Sequence, residues 1–131
     1  MRKIKFRGKI KKGYKNAGQW YYFTLEDFVD LGLLGDIPDA LTLNHIDFST
    51  LGLYTGRKDK NKQEIYEGDI VELHTPAEGV IGRYVVKWDE TTAHFYLEGN
   101  WRIDPDEIWE HSQSWLTIIG NIYENPELIG R

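Results

Sequence analysis

Cysteine is absent from this 131-residue chain, and its absence excludes several kinds of chemistry at once. Without a thiol the protein has no disulfide framework, no thiolate nucleophile and no Cys-ligated zinc, and a reducing compartment is permitted. Long apolar runs are also absent, whereas a membrane-spanning helix needs roughly 20 consecutive apolar residues. The basic N-terminus alternates apolar and charged residues, so that no signal-peptide core follows it. We therefore expect a soluble, cytoplasmic protein that does not contact a membrane.

Aromatic residues, by contrast, are abundant: the chain has 5 Trp, 8 Tyr and 5 Phe, and 40% of its residues are hydrophobic. This apolar surface is large enough to offset the loss of chain entropy on folding, so wholesale disorder is excluded. The length is that of one compact domain. We expect a single domain over residues 1–131.

Charge is distributed unevenly along the chain. The formal net charge is −5, but residues 1–15 hold eight Lys or Arg and no acid. A nucleic-acid-binding arm on an acidic body produces this asymmetry, and so does a basic strand that pairs with acidic neighbours. The regular pattern of the basic segment favours the strand.

The first residues predict a hairpin. Apolar and cationic side chains alternate over residues 3–10, which is typical of a half-buried strand. Gly8 falls on the inward face and indicates a bulge or a close approach of two backbones. The aromatic segment Trp20–Thr24 follows a glycine-rich turn, so that residues 4–24 form the predicted hairpin. The inward side chains are Ile4, Phe6 and Ile10, and the outward ones are Lys3, Lys5, Arg7 and Lys9.

The rest of the chain also has mostly strand patterns. A short helix is predicted near residues 25–33, because Thr24 and Asp27 have capping-box spacing and apolar residues follow at helical spacing. Further strands are predicted at 51–56, 64–66, 70–73, 80–89, 93–97 and 116–123, with 30–50 and 99–114 as irregular excursions. Short strands with glycine corners favour a mainly β fold, either a strongly bent antiparallel sheet or a small barrel.

Three segments resemble a known family. They are residues 52–71, which contain Glu64-Ile65-Tyr66-Glu67-Gly68-Asp69, residues 119–128, which contain Gly120-Asn121-Ile122-Tyr123, and the opening Ile4-Lys5-Phe6-Arg7-Gly8-Lys9. Together they resemble the signature of the YopX family. The resemblance implies a mainly β fold and a cytoplasmic setting in a bacterial cell that carries a phage or prophage. The family has no established biochemical activity, so the resemblance transfers no catalytic residues.

The chain departs from the family pattern at the tip of one predicted hairpin. Many members carry Asn-Gly there, whereas this chain has Asn61-Lys62. Lysine tolerates a positive φ poorly, and asparagine tolerates it better. We therefore expect a loop longer than a two-residue turn, with Asn61 as the residue able to adopt a positive φ.

No arrangement of residues indicates a catalytic, cofactor or metal site. The histidines are not spaced as a helical metal pair, and no glycine-rich phosphate loop is present. A metal site with two histidines and one carboxylate would need His74 and His94 on one sheet face, together with Asp69, Asp89 or Glu98. Scattered histidines are more often surface or hydrogen-bonded residues, so we expect no metal.

The carboxylates likewise have ordinary explanations. A general acid–base pair could lie in the acidic loop around Trp109, but a solvated loop whose tryptophans reach the core explains the pattern better. Asp69 is expected to accept backbone N–H bonds at the corner after Gly68, and Glu67 and Asn121 to hold turns in a comparable way. We therefore expect neither a cofactor nor an enzymatic activity. The acidic loop contains Asp104, Asp106, Glu107 and Glu110.

The sequence favours binding over catalysis, with a second copy of the chain or a phage or host protein as the partner. The residues predicted for protein contact are Trp20, Tyr22, Trp101, Trp109, Arg57, Lys58 and Lys60. The alternative is nucleic-acid binding through the basic segment, at Arg2, Lys3, Lys5, Arg7, Lys9, Lys11 and Lys12. A third interpretation is an unrecognised enzyme that uses the acidic loop or the histidines.

Overall fold

The computed structural model describes residues 4–27 and 43–130, and the chain divides into two compact units, Met1–Tyr54 and Thr55–Arg131. The prediction of a single domain over residues 1–131 stays a prediction. The first unit contains β1 (Lys5–Ile10), β2 (Trp20–Thr24) and the first part of β3 (Ile46–Lys58), which continues into the second unit. The later strands are β4 (Glu64–Tyr66), β5 (Asp69–Thr75), β6 (Gly79–Asp89), β7 (His94–Glu98), β8 (Arg102–Ile103) and β9 (Leu116–Asn121).

These strands form two antiparallel sheets. One has four strands in the order β2-β1-β3-β4, and the other has five in the order β8-β7-β6-β5-β9. The predicted mainly β class is confirmed. The strands are divided between two sheets rather than gathered into one, and no closed barrel is formed by the residues that the structure describes. Short helices lie at Asp106–Glu110 and Ser112–Trp115, and 3-10 helices at Leu43–His45 and Pro126–Ile129.

β1 lies between β2 and β3, and its pairing with β3 is interrupted at Gly8. Arg7 pairs with Gly52, but Lys9 pairs with Asp47, so residues 48–51 of β3 leave the ladder. A Cβ atom added to Gly8 would lie 2.6 Å from Ile46 Cγ2, which only glycine avoids. The bulge predicted at Gly8 is confirmed, and what approaches Gly8 closely is the side chain of Ile46 rather than a second backbone.

This bulge explains why the sequence before residue 51 has no regular pattern. The N–H of Ser49 donates to the Asp47 carboxylate at 3.0 Å, and the Thr50 hydroxyl accepts the N–H of Lys9 at 2.8 Å in place of a ladder bond. Residues 46–50 nevertheless belong to β3, because Ile46 pairs with Ile10 of β1. The prediction of an irregular excursion over 30–50 is therefore wrong for 46–50, and residues 30–42 lie outside the described part of the chain.

Helical backbone begins at Leu25, directly after β2. The N–H of Thr24 donates to the Asp27 carboxylate at 3.0 Å, and the N–H of Asp27 donates to the Thr24 hydroxyl at 3.3 Å. This reciprocal pair is a capping box. The start of the predicted helix is confirmed over residues 25–27, and the rest of it lies outside the described residues.

The core of the second unit is built around β5, which lies between β6 and β9. Ile70, Val71 and Leu73 are at most 1% exposed. Because adjacent strand residues point to opposite faces, this burial means that both faces of β5 are covered. Leu97 of β7 and Leu116 of β9 are fully buried in the same unit.

The prediction of an irregular excursion over residues 99–114 is wrong in part. Arg102–Ile103 pairs with β7, and two short helices follow. Pro105 precedes the first helix, and Asp106 and Glu107 occupy its first turn, where negative charge is favourable. The helices have five and four residues, which is too short for a periodic apolar pattern to show in the sequence.

Candidate binding surfaces

Asp59 is fully buried at the tip of the hairpin that joins β3 to β4. Its Oδ1 accepts the N–H groups of Asn61 and Gln63, both at 2.9 Å, and its Oδ2 accepts the N–H of Ile118 in β9 at 2.9 Å. The N–H of Lys60 donates to the C=O of Leu116 at 2.8 Å. The hairpin tip thus covers an edge of β9, the last strand of its sheet, and Asp59 has a structural role.

The left-handed residue of this hairpin is Lys62, with a φ of 65°, so the prediction that placed Asn61 in this conformation is wrong. The N–H of Lys62 donates to the C=O of Asp59 at 2.9 Å, and the N–H of Asp59 donates to the C=O of Gln63 at 2.8 Å. The loop is therefore longer than a two-residue turn, as predicted. The position that carries the positive φ is therefore the second residue of the Asn61-Lys62 pair.

Two further polar residues of the resembling segments hold turns. The Asp69 carboxylate accepts the N–H of Tyr66 at 2.8 Å, and the Asn121 side-chain oxygen accepts the N–H groups of Tyr123 and Glu124, both at 3.0 Å. The predicted turn roles of Asp69 and Asn121 are confirmed. These bonds account for both side chains without a ligand.

The histidines and carboxylates considered for a metal site do not form one: no group of three or more His, Asp or Glu side chains suited to a metal ion occurs among the described residues. His94 Nδ1 lies 3.0 Å from the C=O of Phe95. Asp89 accepts a hydrogen bond from Arg102, with 2.7 Å between Nη1 and Oδ2. This bond and a hydrogen bond from the N–H of Thr91 lower the pKa of Asp89 from 3.8 to about 2. The negative charge of Asp89 is therefore already paired with Arg102 within the fold.

The acidic segment is exposed to solvent, as predicted, but it is not a loop, because three of its four acids lie in the helix Asp106–Glu110. Asp106, Glu107 and Glu110 are exposed, and Asp104 accepts the Nε–H of Arg102 at 2.7 Å. Trp109 is 8% exposed and packs into the interior. Its buried indole N–H has no hydrogen-bond acceptor among the residues described. Because Trp109 is buried, it is not available to contact a partner protein, and the prediction that it does so is wrong.

The outward face of β1 is not the open cationic surface predicted from its alternation. Arg7 is 5% exposed, and its guanidinium carbon lies 4.3 Å from the centre of the Trp20 ring. Lys9 Nζ lies 5.2 Å from the same ring, and Lys5 Nζ lies 5.8 Å from the Tyr54 ring. Because β1 is a central strand, aromatic side chains of its neighbours lie beside these cations: Arg7 is buried, Lys5 and Lys9 are partly exposed, and cation–π contacts stabilise all three. Arg2 and Lys3 lie outside the described residues.

Among the described residues of the first unit, the exposed cations are Lys11, Lys12 and Lys15, on the turn between β1 and β2. We call residues 11–19 the basic turn; every one of them is exposed, including the predicted Lys11 and Lys12. The ring of Tyr14 stacks on the imidazole of His45, with 4.1 Å between the ring centres and 29° between the planes. Tyr14 and His45 are far apart in the chain, so no local pattern in the sequence could have joined them.

The residues predicted for protein contact differ in exposure. Tyr22 and Trp101 are 53% and 55% exposed, and Trp20 is half-buried beside Arg7. The cations of the β3–β4 hairpin, Arg57, Lys58 and Lys60, are all exposed.

Trp101 is held on a tight turn of the second unit. The N–H of Gly99 donates to the C=O of Trp101 at 3.3 Å. A Cβ atom at Gly99 would lie 2.5 Å from the Tyr84 ring, so glycine is needed for the close packing of that ring. Tyr84 then meets the Trp101 indole edge-on, with 6.3 Å between the ring centres, and burial of Tyr84 raises the pKa of its hydroxyl. This contact orients an indole that is otherwise half exposed.

The described residues therefore define a mainly β protein with two antiparallel sheets, in which Asp59, Asp69 and Asn121 of the resembling segments serve as structural supports. Comparison with protein families is consistent with this class. The YopX protein family matches residues 5–130, so the chain belongs to this family, as the sequence resemblance implied.

Other comparisons add less. The crystal structure of protein EF1440 from Enterococcus faecalis is similar to this chain, with 25% sequence identity and a TM-score of 0.48 over 93% of this chain and 74% of that one. No curated protein matches the chain. Within residues 4–27 and 43–130, no helix has the length and apolar character that crossing a membrane requires.

Proposed function

We propose that this protein is a non-catalytic binding protein that acts through protein–protein contacts. Its partner is a second copy of the chain or a phage or host protein, in the cytoplasm of a bacterial cell that carries a phage or prophage. The cellular setting follows from what the family resemblance implies. A non-catalytic role is supported by the polar side chains whose contacts are already structural. Asp59, Asp69 and Asn121 hold turns, and Asp89 forms an ion pair.

The observation that carries this proposal is the exposed indole of Trp101. Tryptophan is enriched among the few residues that supply most of the binding free energy of protein interfaces. Trp101 is 55% exposed, and the turn at Gly99 and the edge-on contact with Tyr84 restrict its orientation. A side chain that is already ordered loses less entropy on binding, which suits Trp101 to anchor a protein interface.

The Trp101→Ser variant tests the proposal. We expect the wild-type protein to show a mass above 15.3 kDa that rises with concentration in light scattering, or to co-purify with a stoichiometric partner from phage-carrying cells. Trp101→Ser should weaken that association at least tenfold, whereas Tyr14→Ser, which removes an exposed aromatic ring from the other unit, should leave it unchanged. A wild-type protein that stays monomeric without a partner would contradict the proposal, as would an association that Trp101→Ser does not weaken.

A further inference from the structure

The basic turn has a defined backbone, although all its side chains are exposed. At its base, the N–H of Gly18 donates to the C=O of Ile10 at 2.8 Å, and the N–H of Lys11 donates to the C=O of His45 at 2.7 Å. Within it, the N–H of Ala17 donates to the C=O of Tyr14 at 3.2 Å. The side chains of this turn are therefore presented from an ordered scaffold.

An exposed aromatic ring lies at the centre of the turn. Tyr14 is 42% exposed, and its ring is supported by the stacked imidazole of His45. A ring held in this way offers a flat apolar surface, on which a nucleic-acid base can stack irrespective of its identity.

The charged residues of the basic turn itself are all cationic. The basic turn contains Lys11, Lys12 and Lys15 and no acidic residue. Asp47, outside the turn, lies near Lys11 and offsets part of its charge; hydrogen bonds from Ser49 and the nearby Lys11 lower the pKa of Asp47, so that this carboxylate is ionised at neutral pH. The turn has no arginine, and lysine contacts a carboxylate or a phosphate alike as a point charge, so the lysines alone do not choose between an acidic peptide and a phosphate backbone. The exposed Tyr14 ring favours nucleic acid, because every base has a flat face that can stack on it.

We propose that the basic turn binds single-stranded nucleic acid, with one base stacked on Tyr14 and the phosphates contacted by Lys11, Lys12 and Lys15. A single strand is required because the bases of a duplex are not free to stack on a side chain. At 0.1 M salt the net charge of −5 opposes this binding little, because charges more than about 10 Å apart are largely screened. The binding is local, dependent on salt and independent of Trp101.

Fluorescence anisotropy with a labelled oligothymidylate of about 15 nucleotides tests this proposal. The Lys11→Gln, Lys12→Gln, Lys15→Gln triple variant should bind at least tenfold more weakly at low salt. The slope of log association constant against log salt concentration should be shallower by about 2, because each of the three lost phosphate contacts to a single strand contributes roughly 0.7 to that slope. The matched control is Arg57→Gln, Lys58→Gln, Lys60→Gln, which changes net charge equally on another exposed loop and should bind like the wild type.

Two variants of Tyr14 distinguish base stacking from attraction between charges. A third variant, at Trp101, distinguishes nucleic-acid binding from the protein contact of the proposed function. Tyr14→Leu should weaken binding about tenfold and Tyr14→Trp should not, whereas Trp101→Ser should have no effect. The proposal is overturned if the wild type does not bind the oligonucleotide at low salt, if both triple variants lose affinity equally, or if Tyr14→Leu binds as well as the wild type. Equal competition by a duplex or by polyglutamate of matched charge would also overturn it, and polyglutamate competition would assign the turn to an acidic protein.

Discussion

A single carboxylate, that of Asp59, satisfies three backbone N–H groups at the tip of the β3–β4 hairpin and is fully buried while doing so. The sequence predicts the polar loop around it but not this role. Two of the bonds are local and resemble the turns that aspartate commonly makes. The third reaches Ile118, 59 positions further along the chain, and no local pattern predicts a contact at that distance.

Asp59→Asn should lower the free energy of unfolding by roughly 3 kcal/mol, because an amide keeps only one accepting oxygen and turns its NH₂ towards a backbone donor. Urea unfolding of the variant and the wild type measures this difference. Asp106→Asn removes an exposed carboxylate and should change stability by no more than about 0.5 kcal/mol. Equal effects of the two substitutions would contradict the structural role of Asp59.

Lys62→Gly should stabilise the protein by about 0.5–1 kcal/mol, because Lys62 has a φ of 65° and only glycine adopts such angles without steric cost. The matched control is Lys58→Gly, which makes the same change at the end of β3 and should destabilise the protein by a similar amount. Urea unfolding gives both values. A loss of stability in Lys62→Gly would show that the left-handed conformation carries no cost at this position.

At the scale of elements, the sequence predicts strands well where apolar alternation is local and poorly where pairing is distant. β2 lies where it was predicted, at Trp20–Thr24, because its aromatic residues mark it. The beginning of β3 was missed, because residues 48–51 leave the ladder and only the pairing of Ile46 with Ile10 and of Asp47 with Lys9 shows that the strand includes these residues. The cationic face of β1 was predicted to be exposed, because alternation of apolar and charged residues shows that a strand has two different faces. It does not show which side chains of neighbouring strands lie beside the charged face.

Gly8→Ala should destabilise the protein by about 1–3 kcal/mol, because the new methyl group would lie 2.6 Å from Ile46 Cγ2 and force β1 away from β3. Gly82→Ala is the control, since a methyl group in that strand would meet its nearest atom at an ordinary 3.5 Å. Thermal unfolding of both variants tests the close approach. Equal stability of the two variants would mean that Gly8 is not required for it.

β8 has two residues, and one side chain does much to keep it in place. Arg102 lies 2.7 Å from both Asp89 and Asp104, and its guanidinium carbon lies 4.1 Å from the centre of the Tyr96 ring of β7. These contacts raise the pKa of Arg102 and lower that of Asp89 to about 2. The ion pair joins the end of β6 to β8 and is therefore expected to depend on pH.

The folded-state pKa of Asp89, about 2, lies below its ordinary value of 3.8, so ionised Asp89 favours the folded state. This contribution is complete above about pH 4 and is lost as the pH falls through about 2. Asp89→Asn should therefore lower the unfolding temperature at neutral pH and flatten its decline between about pH 4 and 2. Asp106→Asn should retain the wild-type profile. A carboxyl ¹³C NMR titration that gives Asp89 a pKa near 3.8 would contradict the ion pair.

For the whole molecule, the clearest sequence signal is the separation of charge. The unit Met1–Tyr54 has 8 basic and 6 acidic residues, a balance of +2, and the unit Thr55–Arg131 has 8 and 15, a balance of −7. Composition shows this separation, but it does not show which cations are exposed. Arg7 is buried under an aromatic ring, whereas Lys11 and Lys12 are exposed, and that difference follows from where each residue lies relative to the sheet.

The central claim is that the protein works by contacting another protein through the indole of Trp101. Site-specific photocrosslinking in phage-carrying bacterial cells tests this claim most directly, with benzoylphenylalanine at position 101 and, as the control, at the exposed position 91. We expect position 101 to give one dominant protein crosslink, either to a second copy or to a single partner, and position 91 to give none. Crosslinks at position 101 that are no more frequent or specific than those at position 91 would contradict the claim.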